Sequence, residues 1–152
     1  INDVVLDSGM VLSLYGLRET RDIDYLINEN YKINFFKNYI NSHNREIKFH
    51  NKSKSDLIYD MDNFFYFQDL KFLSFDQVYQ MKKIRNEAKD LIDLKIMKGY
   101  IQKNLYQKWS GYGLQIAFYY KIKVFDYTIK FLRKYKLYNL IRSIYRIFKK
   151  KI

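Results

Sequence analysis

No cysteine occurs in the 152 residues, which excludes a disulfide framework, a zinc knuckle and a thiol nucleophile at once. Proline is also absent, and histidine is confined to His43 and His50, too few for a histidine-rich metal centre. No apolar run approaches the ~20 residues of a membrane-spanning helix, and no apolar signal segment opens the chain, so the default compartment is cytoplasmic. The chain opens on Ile1 rather than Met, as a trimmed or shortened start would. What is present is ample apolar material, 48% of residues, with 29% charged, a balance that supports a folded core rather than disorder. Abundant Ile, Lys, Asn, Tyr and Phe also fit AT-rich codons, so composition alone says little about function.

Acid is scarce in one region. Residues 119–152 carry eleven Lys and Arg against the single Asp126, a net charge of +10 out of +12 for the chain. The rest is a nearly neutral body, so the chain reads as a globular part with a cationic C-terminal arm.

The order of patterns predicts an α+β fold: a strand-rich core over 1–73, then a helical region over 74–152 that ends in a basic amphipathic arm. Val4-Val5-Leu6 predicts a first strand, which Asp7-Ser8-Gly9 turns into a short helix over Met10–Leu17 closed by Gly16. Asp22–Ile27 predicts a second strand, and residues 31–42 an amphipathic helix with Ile33, Phe36 and Ile40 on one face. Glu46–His50 alternates as a third strand, followed by a polar loop at 51–55. Phe64–Phe67 and Leu70–Leu73 flank Gln68-Asp69 as a hairpin, and Ser74 with Gln77 forms a capping box for the next helix. A further helix is expected over Ala88–Tyr100, and Gly111 and Gly113 mark a break before the final helical run.

Asp22-Ile23-Asp24 is the sharpest chemical feature. Residues two apart on a strand share a face, so the two carboxylates converge while Ile23 faces the core. Such a pair holds Mg²⁺, with nucleotide phosphates as the usual third party; the plainer alternative is two solvated acids on an edge strand. Thirteen residues earlier, Ser8-Gly9 ends the first strand where backbone N–H groups at a helix start cradle phosphate.

With Arg18 and Thr20 between them, the series Ser8-Gly9, Arg18-x-Thr20-x-Asp22-x-Asp24 resembles the polymerase-β-type nucleotidyltransferase superfamily, especially its small bacterial branch that includes abortive-infection toxin-like proteins. Met81-Lys82-Lys83 followed by Arg85, Lys89, Asp90 and Asp93 is similar to the helix pair of that superfamily. Residues 62–74 are similar to nucleotidyltransferase-like proteins encoded among surface-polysaccharide genes. The resemblance covers residues 4 to about 98. It implies a small nucleotidyltransferase-type mixed sheet with flanking helices, and transfer of a nucleoside monophosphate from an NTP to an acceptor. That acceptor would be a sugar or glycan intermediate first and RNA second.

Carried over residue by residue, Ser8 and Gly9 would contact the triphosphate with Arg18 and Thr20 beside them, Asp22 and Asp24 would bind two Mg²⁺ ions, and Lys82 would offset phosphate charge. A solvated helix-face lysine is the plainer role for Lys82. Arg85, Lys89, Asp90 and Asp93 equally form a structural network, through the four-residue spacings Arg85–Lys89 and Lys89–Asp93. The superfamily's third carboxylate lies on the next strand, where this chain offers Glu46 and His50, with Asp56 and Asp60 as loop alternatives. Glu46 is the natural substitute; His50 can act as a base but binds magnesium poorly. A site with only two acids can bind nucleotide without turning it over, so a catalytically weak nucleotide-binding or scaffold module in surface-polysaccharide assembly is the alternative.

Aromatic residues such as Phe64–Phe67, Trp109 and Tyr112 can stack bases or pack helices, and packing is the expected role. In residues 136–152, Leu137, Leu140, Ile141, Ile144, Ile147 and Phe148 recur at helical spacing among basic residues. This arm either completes the core, lies on an anionic membrane surface at its inner face, or grips RNA.

Overall fold

The computed structural model describes residues 2–28 and 40–135. Two compact units make up the chain, residues 1–111 and 112–152. The first is a five-stranded mixed sheet with helices around it, an α+β architecture; the second contains most of a long helix.

β1 (Val4–Asp7) lies at the centre of the sheet, whose order is β3 (Ile40–Ser42), β2 (Ile23–Ile27), β1, β5 (Leu70–Leu73) and β4 (Phe64–Phe67). α1 (Gly9–Leu14) follows it directly, and Gly16, at a φ of +64°, ends the turn after that helix. β2 (Ile23–Ile27) returns antiparallel to β1, with Leu6 opposite Tyr25 and Asp7 opposite Asp24. β3 (Ile40–Ser42) pairs parallel to β2, so residues 40–42 are strand where the end of a helix over 31–42 was expected; residues 31–39 of that expectation lie outside the described ones. The arm at 136–152 lies outside them as well.

Glu46–His50 is not a strand. Asn44–Phe49 forms a 3-10 helix, entered when the Glu46 N–H bonds the His43 carbonyl at 2.8 Å. The reason is tertiary: the Asn44 side chain accepts from the Ile27 N–H and donates to its carbonyl, both at 3.0 Å. One amide thus satisfies the edge of β2 that another strand residue would have paired. Nor are Asp56 and Asp60 loop acids awaiting a ligand. α2 (Lys54–Tyr59) begins within the expected loop, with Asp56 completing a capping box on Ser53, while Asp60 accepts from the Asp62 N–H at 3.2 Å.

The hairpin forms as expected. β4 (Phe64–Phe67) and β5 (Leu70–Leu73) are antiparallel, and Gln68 and Asp69 both adopt positive φ, the twist that a two-residue hairpin turn requires. β5 runs parallel to β1 and buries Phe72 and Leu73, whereas Lys71 donates to the Asn2 and Ile58 carbonyls. The Ser74 hydroxyl caps α3 (Phe75–Arg85), and Asn86 in the left-handed conformation ends it before α4 (Ala88–Ile101). Val5, Leu12, Leu26, Leu57, Leu73, Val78, Met81 and Ile96 are fully buried and make the core. Tyr15 meets Phe75 at 4.8 Å and Tyr100 at 5.8 Å between ring centroids, and Phe65 stacks on Phe72, so these aromatic rings hold elements together.

α5 (Leu105–Lys134) passes through Gly111 and Gly113 without a break. A Cβ at Gly111 would stand 2.5 Å from Ile96 Cγ1, so this glycine permits close approach to α4 rather than ending a helix.

Candidate functional site

The end of β1 is strained. Ser8, a buried residue, has a φ of 55° and ψ of −112°, and its N–H turns back to the Asp7 carboxylate at 2.5 Å. A non-glycine residue in that conformation costs on the order of 1–3 kcal/mol and persists where the surroundings impose it. Gly9 then packs beneath the segment that leads into β2. A Cβ there would lie 2.6 Å from Thr20 Oγ1 and 3.3 Å from Arg18 Nη2. The two halves of the motif, separated in sequence, are therefore in contact. Gly9→Ala is expected to destabilise the protein by about 1–3 kcal/mol, as overpacking does, and Thr20→Ala in the same chain to restore part of it. Urea denaturation of the single and double variants measures both.

Thr20 donates its hydroxyl to the Asp22 carbonyl at 2.9 Å, holding the entrance to β2. Asp22 itself precedes the strand and is exposed, whereas Asp24 is buried within it. Ile23, expected to face the core, stands exposed at the rim, because β2 becomes covered only from Asp24 onward.

The buried carboxylate beside Asp24 is Asp7, its partner across the β1–β2 ladder, and His43 joins the two. Immediately after β3, its Nδ1 is 3.1 Å from Asp7 Oδ2 and its Nε2 3.1 Å from Asp24 Oδ1. Burial alone would push the imidazole down, but hydrogen bonds to Asp24 and Asp7 and their charges outweigh it and raise the His43 pKa to about 9. Asp7 is fully buried, which by itself would raise its pKa; the His43 hydrogen bond, the nearby His50 and the Ser8 N–H reverse this and hold it low.

His50 has a fully buried side chain, its Nε2 is 3.9 Å from Asp7 Oδ2, and among the described residues neither ring nitrogen has a hydrogen-bond partner. Burial lowers its pKa, so at neutral pH it is the uncharged neighbour of a charged His43. Glu46 pairs with Arg85 Nη1 at 3.8 Å, and the charges of both act on His50. Sequence reasoning placed Glu46 and His50 on one strand face and passed over His43 and Asp7. That His43 is one of only two histidines was the available signal.

A pH dependence follows. Because folding raises the His43 pKa above its ordinary 6.5 to about 9, its stabilisation is complete below pH 6.5 and is lost as pH rises through 9. His43→Gln is expected to be less stable than the parent at about pH 6 and to converge with it at about pH 10, as read by urea denaturation.

The rear half of the motif folds inward. Lys82, expected to reach a phosphate, is 1% exposed, with Nζ 2.8 Å from Asp93 Oδ2 and 3.3 Å from Asp90 Oδ1. Lys82 is thus enclosed between two carboxylates of α4, in ion pairs other than the four-residue spacings Arg85–Lys89 and Lys89–Asp93. Arg85 binds Asp90 through two nitrogens at 2.8 and 2.7 Å, and Arg18 binds Asp93 at 2.9 and 3.3 Å. Lys89 is exposed and pairs with Glu87 at 3.4 Å, since Asn86 breaks the helix between Arg85 and Lys89. Hydrogen bonding to Asp90 raises the Arg85 pKa; at Asp90, burial opposes ionisation but Arg85 and Lys82 lower the pKa.

Among the described residues no group of three His, Cys, Asp or Glu is arranged to hold a metal ion. The chain matches no protein-family model, no curated protein and no solved structure.

Proposed function

We propose that this chain is a metal-dependent nucleotidyltransferase that moves a nucleoside monophosphate from an NTP to an acceptor, with a sugar or glycan intermediate as first candidate and RNA as second. The observation that carries this reading is the contact of Gly9 with Thr20 and Arg18 at the sheet end where Asp7 faces Asp24, which unites both halves of the motif at one edge. The donors suit magnesium, which takes one or two carboxylates and completes its shell with water and substrate phosphate rather than a full protein cage. Asp22, exposed, and Asp24, two residues on, would hold it. When bound, two such ions supply the Lewis acidity that activates an acceptor hydroxyl and offsets charge on departing pyrophosphate.

The chain's own contribution is positioning. Thr20 fixes the Asp22 peptide, Arg18 is held rigid by Asp93, and His43 orients Asp24. Lys82 serves the fold in this scheme and leaves phosphate charge to Arg18 and the metal.

One observation favours a second reading, a nucleotide-binding scaffold module without turnover: β3 offers Ile40, Asn41 and Ser42 and no carboxylate. Calorimetry with each NTP and Mg²⁺, alongside pyrophosphate release, separates the two. Metal-dependent release supports the enzyme, and binding without release supports the module. Neither binding nor release would sink both.

A further inference from the structure

We propose that α5 docks on an anionic lipid surface through the stripe Ile116, Tyr120, Val124, Tyr127 and Phe131, an inference independent of the nucleotidyltransferase reading. These residues recur every three or four positions, so they form one line along the helix, and each is between 57% and 68% exposed. An apolar line of this length left in water is unusual for a surface helix. Its neighbours on one flank, at helical spacing, are Lys123, Lys130 and Lys134, all exposed. The helix contains a single acid, Asp126, which the 100° rotation per residue places beside Lys123 and Lys130 on the side away from the apolar line, so the flank keeps a net positive charge.

Where the two ridges meet lies a shallow, open groove lined by Tyr127, Thr128, Lys130, Phe131 and Lys134. Ammonium groups beside aromatic rings suit a phosphate headgroup above an acyl region, and tyrosine with an apolar body and a polar tip is a residue of the membrane interface. Charge decides among occupants. A second copy would set one cationic helix against another, since α5 carries six Lys and Arg against the single Asp126, whereas an anionic surface neutralises them. RNA would meet the lysines but leave Ile116 and Val124 in water. No helix among the described residues is long and apolar enough to cross a membrane, so α5 lies along the surface.

The test is co-sedimentation of the full chain with vesicles of phosphatidylcholine alone or mixed with phosphatidylserine. Binding is expected only to the mixed vesicles and to weaken with salt. The variant Tyr120→Ser, Tyr127→Ser, Phe131→Ser keeps every charge and should bind at least about tenfold more weakly. Lys123→Glu, Lys130→Glu, Lys134→Glu should lose a similar factor or more. All six positions are exposed, and circular dichroism checks that the variants fold. Three results would overturn the proposal: equal binding to neutral vesicles, undiminished binding by the serine variant, or no vesicle binding. In the last case, self-association abolished in the serine variant would identify a second copy as the occupant, and salt-sensitive binding to single-stranded RNA would identify nucleic acid.

Discussion

Replacing Asp24 by asparagine is expected to lower metal-dependent NTP turnover by more than about 1,000-fold, the equivalent of about 4 kcal/mol of transition-state stabilisation. Asparagine keeps an oxygen that accepts from His43 Nε2, so the bridge between β2 and the residue after β3 survives while the anionic ligand is lost. Asp22→Asn should give a comparable loss with no change in stability, since Asp22 is exposed and its carbonyl, not its carboxylate, takes the Thr20 bond. Pyrophosphate release under saturating Mg²⁺ measures both. Turnover within about tenfold of the parent in either variant removes the metal-binding role from that residue.

The largest effect on stability is expected at Asp90. Its carboxylate is fully buried, accepts from Nε and Nη2 of Arg85, pairs with Lys82 at 3.3 Å and accepts from the Glu87 N–H at 3.1 Å. Asp90→Asn leaves two enclosed cations short of a counter-charge, and breaking a buried pair in this way costs about 3–5 kcal/mol. Urea denaturation should show it as a lower midpoint with an unchanged slope. Lys82→Met separates structure from chemistry at the neighbouring position. Because Arg85 still binds Asp90 and Arg18 still binds Asp93, the fold should survive. Since Lys82 meets no phosphate in the proposed scheme, the turnover of folded Lys82→Met protein should be near that of the parent.

Elements whose determinants lie within a few residues were legible in the sequence. The turn at Gln68-Asp69 between two aromatic-rich runs sets the β4–β5 hairpin, and the Ser74 hydroxyl, three residues from the N–H it accepts, starts α3. Charge distribution and apolar content likewise depend on composition alone, and the α+β class follows from the order of local patterns. Glu46–His50 shows the limit. Its alternation suits a strand, yet a strand exists only if an edge remains to pair with it, and the Asn44 amide had already satisfied Ile27. Gly111 shows it again, since a glycine reads as a break until a neighbouring helix, here through Ile96, needs the space.

The sequence by itself determined which chemical groups were available: two histidines, the Asp22-x-Asp24 pair, the Ser8-Gly9 turn and a cationic C-terminal third. Tertiary structure alone decided which of them meet. It put Asp7 opposite Asp24, brought His43 between them, carried Lys82 inward to Asp90 and Asp93, and drew Arg18 to Asp93 across 75 residues. The physical reason is that an ion pair or hydrogen bond depends on distances of about 3 Å, whereas sequence patterns report periodicity along one element. Whether a lysine faces solvent or a buried carboxylate is settled by what the rest of the chain places beside it.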